Sequence, residues 1–255
     1  MSEAPVDWTE GYDPRLSIQG SGEAVVLVPG MDGTGQLFYR QTGPLARSYR
    51  VATYALRDSA PSMDRLVADL AQVIDQVAPD ERRAIVVGES FGGALALSFA
   101  LAHPERLSAL VILNSFSCFL PRIRLHLAIA GLRILPWHTM GLVRRLTAFR
   151  LHSRHTHHDE VRRFMELTAQ TTREGYIGRL RILTQYDVRE RLHEMQVPTL
   201  FLAAEQDHLV PSAEQASFMS ARVPGAVMRI LAGHGHICLI APDVDLEQIL
   251  REWRG

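Results

Sequence analysis

Short apolar runs rich in β-branched residues recur along this chain, at Ala24 to Val28, Val51 to Leu56, Ala84 to Gly88, Ala109 to Leu113, Thr199 to Ala203 and Ala226 to Leu231. Stretches of helical spacing separate most of them, as in Met63-Leu66-Val67-Leu70-Val73-Ile74-Val77, whose apolar positions fall at i, i+3 and i+4. A strand that is apolar on both faces has to be covered on both faces. The alternation therefore predicts an α/β fold, a mostly parallel sheet with helices on either side. Ser90 to Ala102 supplies one such helix, stopped at His103-Pro104 where proline cannot continue it, and Val244 to Trp253 supplies a closing one.

With 255 residues, 47% of them hydrophobic, the chain can bury the core of one soluble globular domain. Ser117 to Gln196 breaks the rhythm. It holds about 80 residues of helical pattern with no strand, between two strand runs, a length that marks a subdomain or a functional insertion. We read it as a helical cap, or lid, which leaves a discontinuous core of residues 1–116 and 197–255. Its first part, Ile123-Leu125-Leu127-Ile129-Leu132-Ile134-Leu135, is apolar on most sides but shorter than the ~20 residues that span a bilayer. Burial against the core and a substrate pocket is the expectation. A weak membrane-surface contact helped by Arg122, Arg124, Arg144, Arg145 and Arg150 is the alternative.

The formal net charge of -1 offers no basic footprint for nucleic acid, and the basic residues are all arginine, since the chain contains no lysine. Cys118 and Cys238 form no CxxC pair and read as free thiols. Met1 to Glu10 has neither the basic nor the apolar region of a secretory leader, so a cytoplasmic location is expected. Oligomeric state is left open.

Gly88-Glu89-Ser90-Phe91-Gly92 stands between the strand run ending in Val86-Val87 and the small-residue helix beginning Gly93-Ala94-Leu95. A serine on so tight a strand-to-helix turn is held clear of the sheet, and glycine or very small neighbours are what the turn demands. Ser90 is therefore the candidate nucleophile. A serine hydroxyl attacks only when a histidine takes its proton and a carboxylate holds that histidine. Asp207, in the loop Glu205-Gln206-Asp207-His208, is the candidate acid, with Glu205 the alternative closer to the strand. His234 and His236, in Gly233-His234-Gly235-His236 after the last strand run, are the candidate bases; His208 reads as a surface or pocket-lining residue.

Charge that develops on a substrate carbonyl oxygen needs backbone N–H donors. The N–H of Phe91, at the start of the elbow helix, is one candidate, and Met31 in the loop Pro29-Gly30-Met31-Asp32-Gly33-Thr34-Gly35 supplies the second. The glycines of that loop lack the Gly-Lys-Ser/Thr end of a phosphate-binding loop. His152, His155, His157 and His158 lie in an arginine-rich segment without a carboxylate at ligand spacing. No metal and no cofactor is expected.

Taken together, the elbow, the glycine loop and the downstream acid and histidine make the chain resemble the α/β-hydrolase superfamily over essentially its whole length. Within it, Pro29 to Gly35 and Val87-Gly88-Glu89-Ser90-Phe91-Gly92-Gly93 are most similar to a branch of bacterial esterases and plant plastid esterase/acyltransferases. The resemblance implies the order serine, acid, histidine, hence a triad of Ser90, Asp207 and His236 with Met31 and Phe91 as oxyanion donors. His236 is preferred to His234 because the following Ile237-Cys238-Leu239-Ile240-Ala241-Pro242 is similar to the stretch that leads from the base to the last helix in that family. Many relatives carry His-Gly where this chain has Pro29-Gly30, and His where it has Glu89.

The expected activity is hydrolysis of small-molecule carboxylic esters or thioesters with an apolar acyl group. Gly30, Phe116, Leu125, Ile129, Leu132 and Phe149 are the expected pocket residues, with the arginine faces of the cap turned to solvent. An acyltransferase with an alcohol acceptor would use the same triad. A non-catalytic binding protein of the same fold is the third reading.

Overall fold

A computed structural model of the chain describes residues 12–141 and 156–255. In chain order these form β1 Ser17–Gln19, β2 Ala24–Val28, α1 Tyr39–Leu45, β3 Arg50–Thr53, α2 Met63–Val77, β4 Ala84–Glu89, α3 Phe91–Ala102 and β5 Leu107–Leu113. The insertion follows with α4 Arg122–Ile134, α5 His158–Thr168 and α6 Arg173–Gln185. The chain then closes with β6 Thr199–Ala204, α7 Ser212–Ser220, β7 Val227–Leu231 and α8 Leu246–Arg254.

The seven strands form one sheet in the order β1-β3-β2-β4-β5-β6-β7. All neighbours are parallel except β1, which lies antiparallel on β3. Because strand side chains alternate between faces, Val26, Val28, Val86 and Ile112 share one apolar cluster with α2, α3 and α7. Val25, Leu27, Val87 and Val111 join Leu45 of α1 and Leu246 and Leu250 of α8 in a second. Helices thus cover both faces, so the covered, mostly parallel sheet expected from the strand runs is the one observed, as is the α/β-hydrolase architecture that the resemblance implied.

Two departures from the expected elements have local causes. β1 is three residues long, all of them on the exposed side, with no apolar alternation to announce it. β3 stops at Thr53 rather than Leu56, because the Ala55 and Leu56 N–H groups bond the carbonyls of Pro14 and Gly33 instead of a neighbouring strand.

The insertion packs on the loops that follow the carboxyl ends of the strands. Its helices α4 and α6 lie against each other, and Leu125, Ile129, Leu132, Leu180 and Leu183 bury into the same cluster as Val28 and Phe91. Phe164 of α5 packs with Leu37, Ile237 and Ile240. One face of α4, with Leu125, Ile129 and Leu132, is buried against the core, and the other is open: Ile123, Leu127 and Ile134 are 60%, 66% and 82% exposed. No helix among the described residues is long and apolar enough to cross a membrane.

Candidate active site

Ser90 leaves the carboxyl end of β4 at the middle of the sheet, between β2 and β5. Its N–H still donates to Leu113 O of β5 (2.9 Å), so the elbow is anchored to the sheet one residue past the strand. The backbone then turns through φ 55°, ψ −118°, a conformation that costs a non-glycine residue on the order of 1–3 kcal/mol. Crowding forces glycine on either side: a Cβ at Gly88 would lie 2.4 Å from Gly92 O, and one at Gly92 would lie 2.2 Å from Val28 O. A serine at a helix start ordinarily caps the first free N–H groups. Here the side chain makes no such bond, and it meets a histidine instead.

That histidine is His236. Its Nε2 lies 3.0 Å from Ser90 Oγ, and its Nδ1 lies 2.7 Å from Oδ2 of Asp207. Asp207 follows β6 in a tight loop in which its Oδ1 accepts from the N–H groups of Leu209 (2.9 Å) and Val210 (3.0 Å), while Ser212 Oγ donates to Oδ2. Burial works to raise the Asp207 pKa, but the bonds from His236, Ser212 and Val210 outweigh it and hold the carboxyl below its ordinary value. Burial likewise works to lower the His236 pKa, and the Asp207 bond and the charges of Asp207 and Glu89 outweigh it, leaving the imidazole above its ordinary value. An ionised acid orients a histidine primed to accept a proton.

The alternatives lie elsewhere. His234 is buried and pairs with Asp243 (3.5 Å), Glu205 is exposed and accepts from the Gly233 N–H (2.8 Å), and His208 is exposed. Two partners in this network went unread in the sequence. Ser212 is one; Asn114 is the other. Asn114 follows β5 directly with φ 48°, a left-handed conformation asparagine tolerates, and it is 1% exposed. Its Nδ2 donates to His236 O (2.7 Å) and its Oδ1 accepts from Ala204 N–H (2.7 Å), joining the ends of β5 and β6 to the histidine loop. An asparagine directly after the apolar run Ala109 to Leu113 was the available signal.

The glycine loop closes as a turn, with the Gly33 N–H donating to Gly30 O (3.1 Å) and Met31 and Asp32 at its corner. Among the described residues, no intramolecular acceptor takes the N–H of Met31 or of Phe91. Arg179 of α6 donates from Nε to Met31 O (3.0 Å) and from Nη2 to Asp32 O (3.2 Å). The insertion's arginines were expected on its solvent side, but this one is 1% exposed. Glu89, beside the nucleophile, is buried too. Its carboxyl is pushed up to about 7 by burial, with His236 opposing and Asp32 and Asp207 adding to the rise.

Of the expected pocket residues, Phe116 helps line a cavity of about 270 Å³ with Phe119, Arg124, Val210 and Phe218. Leu125, Ile129 and Leu132 are not among the residues lining that cavity, and all three are buried in the apolar cluster. Gly30 is buried, and a Cβ there would lie 3.5 Å from Ser90 Cβ, so it borders the nucleophile. Phe149, Arg144, Arg145, Arg150, His152 and His155 lie outside the described residues, as does Met1 to Glu10. No group of three metal-ligating side chains occurs among the described residues.

The model of the serine aminopeptidase S33 family matches residues 52–240. RutD of Azorhizobium caulinodans, provisionally named a carbamate hydrolase, is 28% identical over 95% of this chain and 96% of its own length. Among solved structures, an esterase from Thermogutta terrifontis superposes with a TM-score of 0.82 at 20% identity, covering 94% of this chain and 92% of that one. A hydrolase from Pseudomonas aeruginosa gives 0.80 at 23% identity, covering 94% and 91%. These two show a shared fold. The family match spans the elbow, the insertion and the loop of Asp207 and His236, so the chain is a hydrolase of the α/β-hydrolase superfamily and belongs to its serine aminopeptidase S33 family.

Proposed function

We propose that the chain is a serine hydrolase that cleaves small carboxylic esters or thioesters with an apolar acyl group. The observation that carries this reading is the unbroken line from Asp207 Oδ2 through His236 to Ser90 Oγ, at 2.7 and 3.0 Å, ending on a serine in a strained turn. In this mechanism the Ser90 hydroxyl donates to His236 Nε2 and loses its proton there as Oγ attacks the substrate carbonyl carbon. Asp207 holds the Nδ1–H and stabilises the imidazolium. The carbonyl π pair moves to oxygen, which the N–H groups of Met31 and Phe91 receive; the latter sits at the positive end of α3. Collapse expels the alcohol or thiol with the proton from His236. Water then attacks the acyl-enzyme by the same route, freeing the carboxylic acid and Ser90.

The insertion serves as the cap of this site. Its attachment to loops at the carboxyl edge of the sheet supports that role, as does the packing of Phe164 against Ile237, next to the base. The name carried by the RutD relatives favours a second substrate class for the same machinery, a carbamate, attacked at its carbonyl to leave a carbamoyl-enzyme. A panel of acetyl, butyryl and octanoyl activated esters, matched thioesters and aryl carbamates separates the two. Turnover rising with acyl length supports the ester reading, and turnover confined to small carbamates replaces it.

A further inference from the structure

We propose that Arg179, contributed by the insertion, is the positioning residue of the oxyanion loop. By holding two consecutive carbonyls it fixes the direction of the Met31 N–H, so that seating of the insertion and stabilisation of the oxyanion are one structural event. This rests on the reading of Ser90, Asp207 and His236 as the triad.

The turn from Gly30 to Gly33 is closed along one side by its own Gly33-to-Gly30 bond and tethered by the Leu56 N–H to Gly33 O (2.8 Å). Its two corner carbonyls are those that Arg179 takes, Met31 O from Nε and Asp32 O from Nη2. A planar guanidinium that engages successive carbonyls restrains the two peptide planes after Met31, and with them the plane before it. A lysine ammonium on a flexible stem has no such fork. The third corner of the guanidinium, Nη1, lies 3.2 Å from Asp58 Oδ1, and the other oxygen of Asp58 accepts from Thr172 Oγ1 (2.7 Å), the residue that caps α6.

The surroundings are shaped for this group. A Cβ at Gly33 would fall 2.5 Å from Arg179 Nη1, and one at Gly175 would fall 1.9 Å from Asp58 Oδ1. A charge buried this fully persists only where it is paired and hydrogen-bonded. Among the described residues, Arg179 meets that condition against the glycine loop and the loop after β3. The contact also spans the fold, since Arg179 lies 148 residues from Met31 in the chain.

The test uses the full-length protein with Arg179→Gln and Arg179→Lys, compared on an activated acetyl ester for kcat and KM and on an alkyl boronic acid as a tetrahedral-intermediate mimic. Loss of a whole oxyanion donor lowers turnover ~10²- to 10³-fold, so misdirecting one should lower kcat ~10- to 100-fold. KM should stay within about 2-fold, and boronate affinity should fall in parallel with kcat/KM. Arg179→Lys, which keeps the charge but not the fork, should fail to restore kcat. A purely structural ion pair would instead lower thermal stability and leave the kcat-to-KM split and boronate affinity of the folded enzyme unchanged; that result overturns the proposal. If neither Arg179 variant folds, the same split is read in Asp58→Asn, and wild-type kcat there overturns it too. Labelling of the wild type by a fluorophosphonate separates the two readings. No adduct on Ser90 rejects the triad, whereas an adduct on Ser90 with unchanged kcat in folded Arg179→Gln rejects only the role of Arg179.

Discussion

The elbow that carries Ser90 and the loop that carries Met31 emerge from adjacent parallel strands, yet they are held in opposite ways. The elbow is fixed from inside the core, by glycines crowded against Val28 O and Gly92 O, by the Ser90 N–H on Leu113, and by Ser115 Oγ on Ser90 O (2.7 Å). The glycine loop is closed by its own Gly33-to-Gly30 bond and tethered by Leu56, but its two corner carbonyls are held from the insertion, by Arg179. Nucleophile geometry is thus built into the sheet, while the proposed oxyanion geometry depends on a segment that enters late in the chain. A nucleophile held by the core tolerates movement of the insertion; a donor held by the insertion does not.

Ser90→Ala probes the core-held half most severely. Loss of a triad nucleophile costs on the order of 10⁶ in turnover, and the small side chain makes no capping bond, so thermal stability should be unchanged. Undiminished burst release from an activated ester would refute the assignment. Asp207→Asn should cost on the order of 10⁴ through loss of the correct tautomer, while Glu205→Gln should be near neutral because that carboxylate serves Gly233.

The same Asp207 variant carries a pH signature. His236 accepts a proton from Ser90 only when neutral, and its folded pKa is raised, so kcat/KM falls as pH drops through that raised value. Removing Asp207 removes the main groups that raise it. The acid limb of the residual activity should move to lower pH, and an unmoved limb would argue against the pairing. His236→Ala should match Ser90→Ala, with His234→Ala far milder; the reverse order would exchange their roles.

Gly92→Ala tests the packing directly. Its Cβ would meet backbone oxygen, which cannot rotate away, so a loss of ~1–3 kcal/mol of stability is expected in urea unfolding. Gly131→Ala in α4, with nothing within 4 Å, should instead gain up to ~1 kcal/mol from helix propensity. Equal effects at the two sites would undo the contrast between a crowded elbow and an open helix.

Among changes beside the nucleophile, the smallest effect on turnover is expected at Glu89, whose substitution acts mainly on stability. Its carboxyl is raised from 4.5 to about 7, so the folded protein binds that proton more tightly than the unfolded chain, and stability falls as pH rises across that window. Glu89→Gln should therefore raise the melting temperature at about pH 8, by up to ~1.4 kcal/mol of stability per pH unit crossed, and give no gain below the unfolded carboxyl's pKa. Loss of its charge should also shift the acid limb of kcat/KM slightly downward. A melting temperature that responds equally at both pH values would show that folding does not raise the carboxyl's pKa.

Period and position made much of this protein legible before any coordinates. Strand runs apolar on both faces could only belong to a covered parallel sheet, and Ser90, Asp207 and His236 each stand just past a strand end, where a parallel sheet gathers its loops. Helix α2 begins and ends where its apolar spacing does, at Met63 and Val77. Local sequence was also enough for the glycines of the elbow. What it could not express were bonds between segments far apart in the chain: Asn114 joining the ends of β5 and β6 to the histidine loop, and Arg179 reaching the glycine loop. Arginine in a polar helix reads as solvated unless the partners that make its burial tolerable are known. The choice between His234 and His236 is of the same kind, since two histidines one glycine apart share a local environment in sequence and differ only in what the folded chain brings to each: Asp243 to the first, Asp207 and Ser90 to the second.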